Sequence, residues 1–343
     1  MRSIGFEKCI SKHGVYVQCY QQNGIKEKLI VCLYVDDLLV TGSSVGRIVD
    51  FKVQMLQEFE MSDLGQLSYF LGIEFTKTDE GMLMYQHRYA LDMLTKFNML
   101  HCNSANTPTE VDLKLEKDPE EEVVDPTEYR RMVGSLRYLF NTRPDISYSV
   151  GLISRYMQNP RVSHLNVVKR ILRYLKGTYK YGILLTKGEP GGEVRVIAYS
   201  DSDWCGDKGD RKSTVGYVFF LGGAPILRSS TKEPVVALSS CEVEYIATCE
   251  ASCQAVWLCS LIRELKIEAK EKVRLLMDNK LAIDLTKHPT SHGRSKHIET
   301  RFHYIREQVS RGKIEVVYYR SEDQITDVLT KALKNERFLT LRK

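Results

Sequence analysis

The sequence predicts a multidomain chain of the α/β and α+β classes. Two apolar strand patterns meet at a tight bend between residues 29 and 42, and two later stretches carry basic residues at helical spacing among apolar residues. The last part contains three strand patterns followed by alternating helices and strands, an order typical of a mixed sheet with helices on its faces. Because 343 residues suffice for two or more cores, we expect three segments, residues 1–110, 111–190 and 191–343.

The composition indicates a soluble globular protein. Hydrophobic residues make up 43% of the chain and charged residues 27%. The net charge of +5 is compatible with a nucleic-acid partner without requiring one. Nine cysteines without a CxxC pair favour a reducing compartment. No signal pattern is present, and the apolar run LIVCLYVDDLLV is divided by two aspartates. We therefore expect an intracellular protein, cytoplasmic or nuclear, that is not secreted and has no membrane partner.

The first segment contains a predicted hairpin with two acids at its tip. GVYVQCY alternates like a strand, QQNG predicts a turn, and LIVCLYVDDLLVTG predicts two strands that meet at Asp36 and Asp37. Adjacent carboxylates are costly to bury without partners, so either the tip is solvated or it holds a cation. A helical pattern over residues 45–59, the stretch LSYFLGIEF at residues 67–75 and a predicted hairpin through Glu80 and Gly81 follow.

The middle segment contains two basic helical patterns. They cover residues 129–140 and 164–176 and follow an acidic run, residues 116–125, that is most simply a solvated linker. Two interpretations of the basic residues stay open: a solvated face of a helical bundle, or a track for a phosphate backbone. The residues concerned are Arg130, Arg131, Arg137, Lys169, Arg170, Arg173 and Lys176.

The last segment begins after a glycine-rich stretch, residues 187–192, which marks the predicted boundary. Strands are predicted at residues 194–199 and 214–221 and near Ile226, where Pro225 fits only an edge strand or a bulge. The remaining predicted elements are a helix at 239–265, a strand at 273–277, a short helix, a basic helix at 295–312, a strand at 314–319 and a helix at 323–333.

Four carboxylates in this segment are candidate metal ligands. Asp201 and Asp278 each follow a predicted strand, where ligands of open sheets gather. Taken singly, each acid is more often solvated or a helix cap. The order strand-Asp, helix-Glu, strand-Asp, helix-Asp instead predicts a site for Mg²⁺ or Mn²⁺, because these ions need several oxygen ligands from different elements. Asp201, Glu244, Asp278 and Asp327 are the predicted catalytic and metal-binding residues.

Helix-capping patterns decide between neighbouring acids. Ser239 and Glu242 have capping-box spacing, which assigns Glu242 to the helix start and leaves Glu244 as the candidate ligand. Ser321 and Gln324 have the same spacing, and the neighbouring Asp323 suits the first turn of a helix. Asp327 then lies deeper in that predicted helix, beside its apolar stripe.

Ten motifs, in order along nearly the whole chain, resemble the C-terminal part of the Pol polyprotein of copia-type LTR retrotransposons. They are CLYVDDLLVTG, YFLGIEF, YRRMVGSLRYL, TRPDISYSVGLISRYM, VVKRILRYLKGT, AYSDSDWCGDKGDRKSTVGYVFFLGG, VALSSCEVEYIA, DNKLAIDL, SKHIETRFHYIRE and DQITDVLTKAL. The resemblance implies a partial reverse-transcriptase palm and thumb in residues 1–110, a helical connection in 111–190 and a ribonuclease H-like domain in 191–343.

The resemblance also implies roles for individual residues. Asp201, Glu244, Asp278 and Asp327 match the ligands of ribonuclease H, whose two-metal hydrolysis cuts RNA in RNA–DNA hybrids. Asp36 and Asp37 match two metal ligands of the polymerase palm hairpin. A basic segment is implied to face the phosphates of the hybrid, which is recognised largely through shape, phosphates and 2′-hydroxyls; its residues are Arg294, Lys296, His297, Arg301 and Arg306. A partner Pol subunit is compatible with the resemblance and is not identified by it.

The sequence departs from this family upstream of the YVDD hairpin. Only 35 residues precede Asp36, and none of them resembles the third palm aspartate or the nucleotide-binding region. We therefore expect ribonuclease H activity and no DNA synthesis by this chain alone. Two alternatives remain: a non-catalytic remnant that binds nucleic acid, or a piece of a full RNA-directed DNA polymerase for which Met1 is not the natural start.

Overall fold

The computed structural model describes the whole chain except residues 2–3, 23, 112, 114, 117, 189–192, 288–298 and 343, together with the side chains of residues 22, 25 and 299–302. The chain forms two compact units. The first contains Met1–Leu67 and Cys253–Glu271, and the second contains Ser68–Ser252 and Lys272–Lys343. These units do not coincide with the three predicted segments, whose boundaries at residues 110 and 190 both fall inside the second unit. The three-part division therefore stays a prediction.

The first unit is built on an antiparallel sheet with strand order β1-β2-β3-β4. Phe51 and Met55, four residues apart on α1, are buried in one apolar cluster with Leu29 and Val31 of the sheet, as helical spacing predicts. The structure thus contains the predicted hairpin and the helix that follows it. The elements are β1 (Glu7–Lys8), β2 (Val15–Gln22), β3 (Ile25–Tyr34), β4 (Asp37–Gly42) and α1 (Val45–Glu58).

The second unit begins with a four-stranded antiparallel sheet and a helical region. The stretch over residues 67–75 contains two strands, because Leu71 and Gly72, both with positive φ, form a turn between them. The last strand of this sheet is distant in sequence and pairs with β7. The elements are β5 (Tyr69–Phe70), β6 (Ile73–Lys77), β7 (Gly81–Tyr85), α2 (His87–Lys96), α3 (Pro126–Leu139), α4 (Ser147–Ser154), α5 (Val162–Thr178) and β8 (Gly182–Thr186).

The remaining elements form a five-stranded mixed sheet with its helices. Strands β9, β10 and β11 are antiparallel neighbours, and β12 runs parallel to both β9 and β13, in the order β11-β10-β9-β12-β13. The elements are β9 (Val196–Ser202), β10 (Thr214–Leu221), β11 (Ala224–Lys232), α6 (Ser240–Glu264), β12 (Val273–Met277), α7 (Lys280–Lys287), α8 (Glu299–Ser310), β13 (Ile314–Tyr318), α9 (Asp327–Thr330) and α10 (Asn335–Leu341).

Proline at position 225 fits the sheet in both ways that proline tolerates. Strand β11 lies at the edge of the sheet, so the missing N–H of Pro225 leaves no gap in a central ladder. The pairing is also irregular there: Phe219 pairs with Leu227 and Phe220 with Pro225, which leaves Ile226 as the extra residue of a bulge. The strand predicted near Ile226 is therefore present, with the predicted irregularity.

The predicted helix over residues 323–333 is wrong. The chain forms a 3-10 turn at Ser321–Asp323, then the short helix α9, and resumes as α10. Gln324 has an extended backbone and a fully buried side chain, which donates a hydrogen bond to the Ser200 carbonyl and so interrupts any continuous helix. The basic helix predicted from residue 295 is α8 from Glu299 onward; its earlier residues lie outside the described part of the chain.

The helical region shares its core with the end of the chain. The buried cluster formed by α2, α3, α4 and α5 includes Phe338 of α10, and Val328 and Leu333 pack against it. A buried ion pair lies in the same region, since Arg143 donates to both carboxylate oxygens of Asp145 at 2.9 and 2.7 Å. The residues beyond 190 therefore depend on the helical region for part of their packing.

Helix α6 is a second apolar segment, beside the run LIVCLYVDDLLV, that bears on membrane crossing. By length and composition alone, its 25 residues are long and apolar enough to cross a membrane. Of its most apolar window, 56% is buried inside the protein, as expected for a core helix. The predicted absence of a membrane partner stays a prediction.

Candidate metal centre

Three of the four predicted carboxylates converge at one end of the mixed sheet. Asp201 lies near the end of β9, Asp278 follows β12 directly, and Glu244 lies in the second turn of α6. One oxygen of each lies within 4.8 Å of the others. Strands β9 and β12 are parallel neighbours, so residues at their carboxyl ends meet at the same edge, which is why this pattern could be predicted from sequence.

Gly216 allows the chain to close over Asp201. Gly216 is the partner of Asp201 on β10, and a Cβ atom there would lie 2.8 Å from Thr330 and 2.9 Å from Leu329. Distances under 3.0 Å are not tolerated, so α9 packs this closely only on glycine. The close packing lets the Thr330 hydroxyl donate a hydrogen bond to Asp201 Oδ2.

Glu244 is held through one oxygen and leaves the other without a partner. Its Oε1 accepts hydrogen bonds from the Ser202 amide at 3.0 Å and the Ser202 hydroxyl at 2.9 Å. Its Oε2 is buried and has no hydrogen-bond partner. Because a buried carboxylate oxygen without a partner is costly, this atom fits the coordination of a hard cation. The oxygen-only donor set of the three acids is the set that Mg²⁺ and Mn²⁺ prefer.

Asp327 lies beside this triad, with both oxygens paired to cations. Its Oδ1 is 2.7 Å from Lys331 Nζ and its Oδ2 is 2.9 Å from Arg337. Lys331 Nζ also lies 3.5 Å from Asp201 Oδ2, so the two aspartates share one ammonium group. The structure thus brings all four predicted acids to one region, with Asp327 in a different electrostatic environment from the other three.

Burial and repulsion between neighbouring carboxylates raise the pKa values of the acids in this site. Burial raises the pKa of Asp201 to about 7; Lys331 opposes this change and the Asp327 charge adds to it. Burial, followed by the charges of Asp201 and Asp278, raises the pKa of Glu244 well above its usual value. Burial also raises the pKa of the neighbouring Asp203 to about 6. Burial therefore disfavours the charged form of these acids near neutral pH, and a bound cation would favour it.

These shifts predict that the metal-free protein loses stability as pH rises. A carboxyl group whose pKa is higher in the folded state binds more protons folded than unfolded, so stability falls between the unfolded value, 3.8 for Asp201, and the folded value of about 7. We expect the free energy of unfolding in EDTA to fall by about 3 kcal/mol from about pH 5 to about pH 8, given about 1.4 kcal/mol per pKa unit over the roughly two units between pH 5 and the folded pKa. Urea titrations at the two pH values measure this change.

Asp201→Asn isolates the effect of this group from other titrations. Burial lowers the pKa of His164, and this group makes stability rise with pH, opposite in sign to Asp201. The fall in stability should therefore be smaller in Asp201→Asn than in the unsubstituted chain. Equal slopes in the two proteins would contradict the prediction.

The YVDD tip is a solvated hairpin. Asp36 and Asp37 are exposed, and Val35 between the strands has φ +52°, an outlier for a β-branched residue. Among the described residues, neither Asp36 nor Asp37 belongs to a group of three possible metal ligands. Their role as polymerase ligands stays a prediction.

The predicted nucleic-acid-binding residues are only partly visible. Arg294, Lys296 and His297 lie outside the described residues, and Arg301 is on α8 with its side chain outside them too. Arg306 is half-buried on α8, and its charge acts on the hydroxyl of the buried Tyr245, whose pKa is raised chiefly by burial. Contact of these five residues with nucleic acid stays a prediction.

The two basic helical patterns contain residues that bind the protein's own chain and residues that are exposed. Arg170 pairs with Glu110 at 2.5 Å and Arg173 donates to the Asn103 carbonyl at 2.9 Å, so these two bind the protein's own chain. Arg131, Arg137 and Lys169 are exposed. The exposed residues remain available to solvent or to a phosphate backbone.

Sequence reasoning missed the residues that surround the acids. Gln324 was assigned to a helix cap, whereas its buried amide binds the strand beside Asp201. Lys331 and Arg337 were not singled out, although a lysine four residues after Asp327 is a recognisable i,i+4 pair. The predicted helix cap at Ser239 agrees better with the structure. The Ser239 hydroxyl oxygen accepts a hydrogen bond from the Glu242 amide at 3.2 Å, and the Glu242 carboxylate accepts one from the Leu238 amide.

The chain is similar in sequence to reverse transcriptases and to transposon proteins. The profile of the reverse transcriptase (RNA-dependent DNA polymerase) family matches residues 1–111. The retrovirus-related Pol polyprotein from transposon RE1 of Arabidopsis thaliana is 41% identical over 336 residues, 98% of this chain and 22% of that protein. A transposon Ty5-1 protein of Saccharomyces cerevisiae is 31% identical over 253 residues, 73% of this chain and 80% of that protein.

A solved structure shares the fold. The foamy viral protease-reverse transcriptase in complex with RNA/DNA hybrid has a TM-score of 0.52 and 14% identity, over 85% of this chain and 36% of that chain. Together with the mixed sheet, this likeness shows a fold of the reverse transcriptase and ribonuclease H-like kind. The chain belongs to the family of copia-type retrotransposon Pol polyproteins. It spans about a quarter of the length of three such relatives, between 22% and 26%.

Proposed function

We propose that this chain is a metal-dependent ribonuclease that cuts the RNA strand of RNA–DNA hybrids. The observation that carries the proposal is the unpartnered, buried Oε2 of Glu244 beside Asp201 and Asp278, with ligand oxygens within 4.8 Å. The foamy viral relative in fold is described in complex with an RNA/DNA hybrid, which supports the choice of substrate. DNA synthesis is not part of the proposal, and an intracellular location stays a prediction.

The acids of this site would have different roles in holding a metal ion. Asp201, Glu244 and Asp278 would hold Mg²⁺ or Mn²⁺, and Ser202 keeps Glu244 oriented through two hydrogen bonds. When bound there, the ion lowers the pKa of water and compensates the charge of the scissile phosphate. Asp327 would act indirectly, because it shares the ammonium group of Lys331 with Asp201. Its own negative charge is compensated by Lys331 and Arg337.

Cleavage of a labelled hybrid by the full chain tests the proposal. The full chain is required because Phe338 and the residues around α9 pack into the helical core. With Mg²⁺ we expect cutting of the RNA strand in an RNA–DNA hybrid, and no cutting of a DNA duplex of the same sequence. In EDTA we expect cleavage to stop, because the acids alone supply no activated water.

A binding assay at two salt concentrations distinguishes the nuclease from a non-catalytic remnant that only binds nucleic acid. A remnant that only binds nucleic acid would show affinity that falls with salt, because phosphate contacts release counterions. Salt-sensitive binding without cleavage, in Mg²⁺ and in Mn²⁺, would overturn the nuclease proposal and favour that remnant.

A further inference from the structure

Lys331 is positioned where two of the four acids meet. Its ammonium group lies 2.7 Å from Asp327 Oδ1 and 3.5 Å from Asp201 Oδ2. The side chain is 40% exposed, whereas the Asp201 side chain is 2% exposed. The ammonium group therefore reaches from the surface into the acidic site.

Negative charge is distributed unevenly across this site. On one side, both oxygens of Asp327 are paired, Oδ1 with Lys331 and Oδ2 with Arg337 at 2.9 Å. On the other side, Glu244 Oε2 is buried without a hydrogen-bond partner. Asp201, Glu244 and Asp278 can therefore coordinate a cation. The charge of Asp327 is already compensated by Lys331 and Arg337.

We propose that Lys331 takes the place of a second divalent cation between Asp201 and Asp327. This inference rests on the proposed metal centre and specifies how many ions it holds. Without nucleic acid, the full chain binds one divalent ion at Asp201, Glu244 and Asp278. A second ion would need the oxygens that Lys331 contacts and would be repelled by its charge, so it binds only after Lys331 is displaced.

Counting Mn²⁺ ions bound to the full chain tests this directly, by electron paramagnetic resonance of the free ion. We expect one ion on the unsubstituted chain and two on Lys331→Gln, with the second ion bound about tenfold or more tightly than in the unsubstituted chain. Lys331→Arg keeps the charge and should hold one ion. Lys334→Gln, which removes an exposed lysine three residues away, is the matched control and should also hold one.

The double variant Lys331→Gln with Asp327→Asn should return to one ion, because the second ion then lacks a carboxylate. Thermal melting in EDTA establishes that each variant is folded, and Lys331→Met serves as a replacement if Lys331→Gln does not fold. Two ions of similar affinity on the unsubstituted chain, or one ion on both folded neutral variants, would overturn the inference.

Ion counting and cleavage report separately on the two proposals. A chain that binds ions as expected but cuts no hybrid keeps the role of Lys331 and loses the nuclease function. A chain that cuts hybrids but binds two ions equally well loses only the role of Lys331. A chain that binds no Mn²⁺ loses the metal centre and the inference together.

Discussion

Replacing Asp278 with asparagine is expected to reduce cleavage of the RNA–DNA hybrid by about 10²–10³-fold, a loss typical of removing one strong electrostatic contributor. Asp278 follows β12 directly and is half-buried, and its charge is one of those that raise the pKa of Glu244. Asparagine keeps the size of the side chain and removes one ionic ligand oxygen. Initial rates of hybrid cleavage in Mg²⁺, measured on the full chain, give the ratio.

Asp284→Asn is the matched control for this substitution. Asp284 is an exposed aspartate on α7, six positions further along, so this variant makes the same chemical change outside the triad. We expect its cleavage rate to equal that of the unsubstituted chain. Full activity of Asp278→Asn, or equal losses in both variants, would contradict the assignment of Asp278 as a ligand.

Replacing Arg143 with methionine is expected to lower the free energy of unfolding by about 3–5 kcal/mol, the cost of leaving a buried charge without its partner. Arg143 is 2% exposed and Asp145 is 6% exposed. Arg143 also donates to the Thr178 carbonyl at 2.8 Å, and Tyr174 donates to Asp145. Urea titration followed by circular dichroism measures the loss.

The pair can be tested against a surface arginine and against its own double variant. Arg131→Met removes an exposed arginine of α3 and should change stability by less than about 0.5 kcal/mol. Combining Arg143→Met with Asp145→Asn should recover part of the loss, because the buried carboxylate is then neutral. A loss for Arg143→Met no larger than that for Arg131→Met would show that this ion pair is not needed.

The strand and ligand order could be predicted from local patterns. Val196 to Ser202 is an alternating stretch with Asp201 near its end, and Val273 to Met277 is a short apolar run followed by Asp278. Strand pairing and side-chain alternation depend mainly on which residues are apolar, so β9, β10 and β12 and the triad followed from the sequence. Capping spacing likewise separated Glu242 from Glu244, and the hydrogen bonds at Ser239 agree with that separation.

The end of the chain could not be predicted in the same way. Ser321 and Gln324 have capping-box spacing, but Gln324 reaches 124 residues back along the chain to bind Ser200. A local pattern contains no information about a buried acceptor that is distant in sequence, so a continuous helix was predicted where the structure has three short elements. The boundary at residue 190 was inferred from glycines, which indicate a flexible local chain and do not reveal that Phe338 packs with the helical region.

The family, the mixed sheet and the residues that supply carboxylates can be predicted from residue type and order along the chain. Which of these acids are free to coordinate a cation depends instead on how the folded chain packs. That difference arises because Lys331 and Arg337 neutralise Asp327 across α9 and α10, whereas Glu244 keeps one oxygen without a partner. Charge compensation acts over a few ångströms in space, and the positions that come this close are set by packing.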